Sequence, residues 1–420
     1  MPSTSVVVIG AGQAGLAVSR VLTDLAVEHV VLERGAVADR WRTRGWDSLT
    51  LLTPRWMSRL PHWRWAGPDP HGYMTRTQVI DYLVGYSASF PAPVVEQAEV
   101  LDVRATDDGR FAVTSTAGRW TASDVVVATG HCAVPRVPRA STGLAPSIHQ
   151  TSPDQYRNPG SLPDGGVLVV GASASGAQIA DELREAGREV VLAVGRHTRL
   201  PRRYRGHDVL AWLSALGVLD RSRDTLRDPT APPDEPSLQL VGRVARRDVD
   251  LASLQRRGVT LTGRLLAANG THLRLAGDLA AHTRAADATM ARLLRRIDAL
   301  ADRVGATPSD DPVRRADTAH APTELDLGRS GVGSVVWATG YRRSHPWLHL
   351  PVLDPRGDIV HRSGHAAVPG LHVVGTPWQT RRSSVTLDGV RHDAVAVARR
   401  IAARQGIPAR DTADLAIVDS

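Results

Sequence analysis

VVVIGAGQAG at residues 6–15 and VVLER at residues 30–34 read together as the opening of a dinucleotide site. Val6, Val7, Val8 and Ile9 are apolar β-formers and make a buried strand. Gly10, Gly12 and Gly15 then supply a tight turn, room for a pyrophosphate against bare backbone, and close contact between helix and sheet. Leu16, Val18, Val21, Leu22 and Leu25 recur near helical spacing, so a helix follows at Gln13, and the dipole at its N-terminus favours negative charge. Glu33 stands about eighteen residues beyond Gly15, at the end of a second apolar strand and beside Arg34, where a carboxylate can accept ribose hydroxyls. GxGxxG alone is a weak signal. Strand, glycine loop, helix, strand and acid in this order leave little room for an ordinary glycine turn.

The chain has 420 residues, more than one hydrophobic core usually serves, so two domains are expected. A content of 42% hydrophobic and 22% charged residues is that of a globular protein, and no stretch is long and apolar enough for a membrane span. Only five residues precede the first strand, with no basic segment leading into an apolar core, which points to a cytoplasmic protein without a membrane partner. Cys132 is the single cysteine, which excludes an internal disulfide, a CxxC redox pair and a thiolate zinc cluster; no metal site is expected. Redox chemistry therefore needs a cofactor. The net charge of +8 is carried without any lysine, which removes Schiff-base and phosphate-loop lysine chemistry. With no nucleic-acid motif beside it, the positive charge suits an anionic dinucleotide better than a nucleic-acid partner.

Past Glu33 comes DRWRTRGWDSLTLLTP at residues 39–54, rich in tryptophan and arginine, and then a second aromatic group with Trp56, Trp63, Trp65 and Tyr73. Trp41 follows the nucleotide unit closely enough to cover a flat heterocycle, whereas Trp63 and Trp65 suit ligand cover and loop anchoring equally well. A short helix is expected at residues 79–86, and alternating strands at 94–103 and 111–115 form a small β-meander. It leads to VVVATG, ending at Thr129 and Gly130, a buried strand stopped by a glycine turn. The proline-rich stretch 135–163 reads as a connection between domains.

The pattern then restarts. Val167 to Val170 run into GASASG (residues 171–176), an amphipathic helix, and a strand at 190–194. Two features set this unit apart. Ser173 replaces the middle glycine, and the strand ends at Gly195 and Arg196 with no acid. Arginine pairs with a 2′-phosphate where an acid would repel it, so NADP is favoured, and Arg199, Arg202, Arg203 and Arg205 support that preference, with a solvated basic face as the alternative. A helix at 207–216, a proline-rich loop at 227–237, a hairpin around Asn269 and Gly270, and a long helix at 283–304 follow. Residues 306–322 are polar and broken by prolines, and would return the chain to the first domain. VVWATGY, with its turn at Gly340, echoes VVVATG, so each half reads strand, glycine loop, helix, strand, meander, strand ending in ATG. A last strand ends at Gly375, and Ser383 or Ser384 could open a final helix running to about residue 403. Its N-terminus would suit an anionic reduced flavin, or it simply closes the fold.

Two dinucleotide units of this order, joined by ATG turns, resemble the class B flavoprotein monooxygenases, that is, the flavin-containing and Baeyer–Villiger monooxygenases. WRTRGWDSLTLLTP, DPHGYMT, QYRNPGSLPDGGVLVVGASASGAQIADEL, RRYRG and RRSSVTLDGV are similar to the CzcO-like branch. The resemblance implies an α/β fold of two Rossmann-like domains, each with an inserted β-meander: an FAD-binding domain at residues 1–155 and 320–420, and an NADPH-binding domain at 160–319. It implies FAD held by Gly10, Gly12, Gln13, Gly15 and Glu33, with Arg34, Arg40, Trp41, Arg42, Thr129, Gly130, Gly340, Gly375 and Ser384 nearby. It implies NADPH held by Gly171, Ser173, Ala174, Ser175 and Gly176, with Arg196 nearest the 2′-phosphate.

The implied reaction inserts one oxygen atom of O2 into a small organic substrate through a flavin C4a-(hydro)peroxide. The cofactor carries that chemistry, so no dedicated acid or base is demanded. Asp47 is the candidate polar group near the flavin, with loop capping as the alternative. The family's linker fingerprint, FxGxxxH followed by an aromatic residue, is represented by His149 and Tyr156 at longer spacing and without the phenylalanine and glycine. The tryptophan form typical of Baeyer–Villiger enzymes is absent, which favours N- or S-oxygenation or hydroxylation. Alternatives are an FAD oxidase or dehydrogenase with a degenerate NADPH site, and a flavin- or NADP-binding sensor. A homodimer is compatible with the sequence.

Overall fold

Two parallel sheets, each built around one glycine-loop strand, organise the chain. The computed structural model describes residues 3–229, 235–242, 247–306 and 313–407. In the first sheet the strand Ser3–Ile9 lies between Gly118–Val127 and His29–Leu32, with Leu371–Val373 and Val94–Val95 outside them, all parallel. In the second, Gly166–Val170 lies between Val332–Trp337 and Val190–Ala193, with His149–Thr151 and Thr260–Thr262 outside. The two arrangements correspond strand for strand. Val6, Val7 and Val8, like Val167, Leu168 and Val169, have no exposed surface, as strands buried on both faces require.

Each unit carries antiparallel strands. In the first, Val100–Ala105, Phe111–Ser115 and Gly118–Val127 form a meander continuous with the sheet; in the second, Leu265–Asn269, His272–Leu275 and, after a long helix, Glu324–Asp326 form a separate three-stranded sheet. The single strand expected at 94–103 is two elements. Gln97 adopts a positive φ of 56°, and the backbone N–H of Ala98 turns aside to donate to the Glu33 carbonyl, so Val94–Val95 completes the parallel sheet before the meander begins.

A second difference concerns where the chain returns to the first sheet. The sequence reading puts that return near residue 320, but Val332–Trp337 pairs along its length with Gly166–Val170. VVWATG therefore belongs to the second sheet, as does the edge strand His149–Thr151, which the sequence reading assigned to the first domain. The chain crosses back only afterwards, where Tyr341–Arg342 pairs antiparallel with the outgoing connection at Val134–Pro135.

The helices follow from capping and periodicity. Thr75 and Gln78 form a capping box for Arg76–Ala88, and Asp208 caps Val209–Ala215. Leu279–Arg303 buries Met290, Leu294 and Ile297 and turns Arg292, Arg295 and Arg296 to solvent. The final helix is Leu387–Arg404, capped by Thr386 rather than by Ser383 or Ser384. None of the described helices is long and apolar enough to cross a membrane. The expected proline loop at 227–237 and the break at 306–322 lie partly outside the described residues.

The tryptophan segment joins the two cores. Trp41, on the short helix Asp39–Thr43, packs against the core beneath the first sheet, while Trp46 is buried in the core of the second with Tyr156, Leu162 and Val167. Truncating a buried indole costs about 3–5 kcal/mol. Urea denaturation of Trp46→Ala should show a loss of that order, and Trp46→Phe a smaller one, because the ring is largely retained and an indole N–H without a partner is removed.

Candidate dinucleotide sites

The geometry of GAGQAG follows from what a side chain would meet at each glycine. Gly10 has φ +105°, and a Cβ there would lie 2.8 Å from the Ala128 carbonyl oxygen. At Gly15 a Cβ would overlap the Gly10 carbonyl oxygen, so the helix Gln13–Asp24 can start against the strand end only because this residue has none. Gly12 is different: its φ is −83°, and a Cβ would meet nothing within 4 Å. Open space stands over this residue. Gly12 is also the helix N-cap, and no side chain caps the first-turn amides. Free amides, a helix dipole and open space together fit a pyrophosphate.

Glu33 is buried beside this loop. Its Oε2 accepts the Ala11 N–H at 2.6 Å and its Oε1 the Gly35 N–H at 3.2 Å. Burial pushes the carboxyl up from its ordinary value, while these two N–H groups pull it back. Gly375, at φ +85°, comes so close to the loop that a Cβ would sit 2.9 Å from the Ala14 methyl. Thr129 and Gly130 follow directly from Ala128, so GAGQAG, Glu33, Thr129, Gly130 and Gly375 are brought together at the carboxyl ends of the first sheet's strands.

GASASG repeats this construction. Gly171 has φ +106°, and Cβ atoms at Gly171 and Gly176 would overlap the carbonyl oxygens of Ala338 and Gly171. Ser173 takes φ −81° and ψ −169°, against −83° and −172° at Gly12. The serine is thus unstrained in the same backbone conformation. It is the N-cap of Ala174–Glu185, yet its side chain does not cap the helix, and the amides of Ala174 and Ser175 are again uncapped by any side chain. Ala338 and Thr339 lie against this loop as Ala128 and Thr129 lie against the first, so Gly340, which follows them, is placed with the second unit and not with the first. Arg196 is exposed just past the strand Val190–Ala193.

The neighbouring arginines do not form an extended phosphate site. Arg199 and Arg202 are almost fully buried, the first paired with Asp250 and Asp287, the second with Asp208 and stacked over Tyr73. Arg205 pairs with Asp298 and Asp302. The charges of Arg199 and Arg202 are neutralised inside the fold and that of Arg205 near the surface, whereas Arg203 is exposed and donates to the Gly206 carbonyl.

Several candidate residues near the first loop have structural partners. Arg34 pairs with Asp39, Arg42 donates to the Val37 carbonyl, and Arg40 reaches Asp154. Ser384 is fully buried and its hydroxyl accepts the N–H groups of Thr380 and Arg381. Trp63 packs on Tyr82 and Tyr86, and Trp65 lies under Arg55, so both anchor their loop. Asp47 is exposed, accepts the Asn158 amide at 2.8 Å and faces Arg76 at 3.7 Å, an arrangement that braces the connection. Tyr156 is buried and donates to Glu182 on the second unit's helix, whereas His149 is exposed.

Sequence reasoning missed three residues. Gln379 accepts the N–H of Gly375 four residues before it, at 3.0 Å, and the amide of the distant Gln239 donates to the Ala172 carbonyl in the second glycine loop. Asp154 is a buried hub for Arg40 and Tyr341. None carries a local pattern that could have announced it.

Residues 7–216 match the pyridine nucleotide-disulphide oxidoreductase family. A CzcO-like oxidoreductase from Geobacillus kaustophilus is 33% identical, over 93% of this chain and 95% of its own. The chain belongs to that family. It is an oxidoreductase, and the expectation of FAD and NADPH as cofactors agrees with the membership. Indole-3-pyruvate monooxygenase YUCCA4 from Oryza sativa subsp. japonica is 31% identical over 50% of this chain and 54% of its own. The fold is also that of a flavin-containing monooxygenase from Stenotrophomonas maltophilia, with TM-score 0.66 and 22% identity over 96% of this chain and 100% of that one.

The glycine geometry separates folding from binding. Gly15→Ala should fail to fold or lose several kcal/mol in thermal denaturation, because backbone must move. Gly12→Ala should melt close to wild type yet lose FAD on gel filtration, since its methyl enters the space left for the pyrophosphate.

Proposed function

We propose that the protein is an FAD-dependent, NADPH-consuming monooxygenase acting on a small organic substrate. The observation that carries this reading is the pair of matched glycine loops, one followed by a buried acid and the other by an exposed arginine. The first unit would be the FAD domain, and the second, from about residue 149 to residue 340, the NADPH domain. Although the family is named for disulphide chemistry, Cys132 is the only cysteine, so electrons have no internal dithiol to reach. Relatives named as monooxygenases support oxygen as the acceptor.

Bound FAD, once reduced by NADPH, supplies the chemistry that activates O2: one oxygen atom goes to the substrate and the other leaves as water. The chain's own residues bind and orient. The uncapped amides of Gln13 and Ala14 would hold the FAD pyrophosphate, and Glu33 would accept the ribose hydroxyls. The amides of Ala174 and Ser175 would hold the NADPH pyrophosphate, with Arg196 donating to the 2′-phosphate. Ser173 keeps the backbone conformation of Gly12, so the second loop is folded as the first is. The incomplete linker fingerprint favours an amine or sulfide substrate, or hydroxylation, over ketone-to-ester conversion.

Anaerobic mixing of the FAD-loaded protein with NADPH should bleach the flavin absorbance, and subsequent exposure to 18O2 with a panel of amines and sulfides should label a product. Failure of NADPH to reduce the flavin would sink the reading. Arg196→Ala should raise KM for NADPH by about tenfold, the value of a charge-assisted contact, and leave KM for NADH nearly unchanged. Equal effects on both would mean that the 2′-phosphate lies elsewhere.

A further inference from the structure

A cavity of about 370 Å3 opens between the two units at the carboxyl ends of His149–Thr151 and Val332–Trp337. Val134, Pro135 and Trp337 give it an apolar wall, while Arg44 and Asp154 stand on the polar side. In open parallel sheets this end of the strands is where ligands bind.

Asp154 is 2% exposed, and its two oxygens have different surroundings. Oδ1 accepts the Tyr341 hydroxyl at 2.7 Å and the Arg40 guanidinium at 3.0 Å. Oδ2 accepts no hydrogen bond; the nearest cation is Arg44, at 3.9 Å. A buried carboxylate oxygen without a donor is costly, and such groups call for a missing partner. Two arginines already balance this one carboxylate, so an ammonium group would meet net repulsion. A neutral N–H donor meets none. The apolar wall with Trp337 suits a flat ring carrying that donor.

We propose that the cavity recognises a planar ring bearing a primary carboxamide, and that Asp154 Oδ2 accepts the amide N–H. Asp154 is then a specificity-determining residue. The inference rests on the dinucleotide reading above only in offering two sources for the amide: the nicotinamide of NADPH or an aromatic amide substrate.

Titration calorimetry on the FAD-loaded protein decides the matter. NADP+ is compared with its 3-acetylpyridine analogue, which keeps the carbonyl but has no N–H, and benzamide is compared with acetophenone. Wild type should prefer the amide member of one pair by about tenfold, the value of a hydrogen bond to a charged group. Asp154→Asn, which can present an N–H where Oδ2 stood, should abolish that preference and leave binding of the ketone member unchanged. A preference within the first pair assigns the amide to the cofactor, and within the second pair to the substrate. If wild type distinguishes neither pair, Oδ2 holds a water and the proposal is wrong. It is equally wrong if the preference survives in Asp154→Asn. Should that variant not fold, the wild-type preferences decide alone. Failure of wild type to bind NADP+ at all would count against the NADPH reading, while the benzamide pair would still test the cavity.

Discussion

The structure depends on one close approach, made twice. At Gly15 and at Gly176 a helix starts so near the strand that precedes it that no Cβ fits between its first turn and the carbonyl of Gly10 or Gly171. The neighbouring strand closes the arrangement from the side, through the carbonyls of Ala128 and Ala338. ATG is therefore a packing partner of the glycine loop, as well as the end of a strand. Its alanine is small enough to lie against the loop, and its glycine takes the positive φ that turns the chain away, 75° at Gly130 and 87° at Gly340. Once helix, strand and neighbour are locked in this way, the amides at the helix start have no protein acceptor. The open space over Gly12 follows from the packing at Gly10 and Gly15.

Parts of the molecule governed by local constraints were legible in the sequence. Glycine at fixed spacing, buried runs such as Val6 to Ile9, and the helical stripe of Met290, Leu294 and Ile297 each respond to contacts within one element or with its immediate neighbour. Which sheet VVWATG joins was not legible, because an apolar strand ending in a glycine turn fits beside either glycine loop equally well. Only the pairing with Gly166–Val170 settles its membership. The arginines after Arg196 misled for a related reason. A run of positive charge looks the same whether it faces solvent or aspartates that lie far along the chain, and here Arg199 finds Asp250 and Asp287. Trp63 and Trp65 read equally as ligand cover or as anchors until Tyr82, Tyr86 and Arg55 were seen beside them.

Gln379 and Gln239 show a different limit. A side-chain amide can donate and accept at once, so it can brace a loop from any segment that passes nearby. Gln379 accepts from the backbone of Gly375, and Gln239 donates to the backbone of Ala172; neither bond demands a particular sequence context. Both glutamines are buried, so each bond exchanges no solvent contact on the protein side once the fold is formed. The two braces act on opposite backbone groups, an N–H in one unit and a carbonyl in the other. The strand-for-strand correspondence of the sheets does not extend to them.

Among the described residues the two units are fastened at several places, including the buried bond from the Tyr73 hydroxyl to Asp208 and the bond from Thr50 to the Gly242 carbonyl. Trp46 enters the second core from a segment whose Trp41 lies on the first. Asp154 gathers Arg40 and Tyr341 where the outgoing and returning connections run side by side. Farther away, Arg223 donates its backbone N–H to Thr380, while Arg382 and Ser383 donate theirs to Arg221 and Leu219. The turn that receives these bonds follows directly on Gly375 and is tied from below by Asp393 through Thr380. Arg381 and Arg382 add ion pairs with Asp220 and Glu235 along the same edge, so the turn beside the first glycine loop is held to the second unit by side chains as well as by backbone.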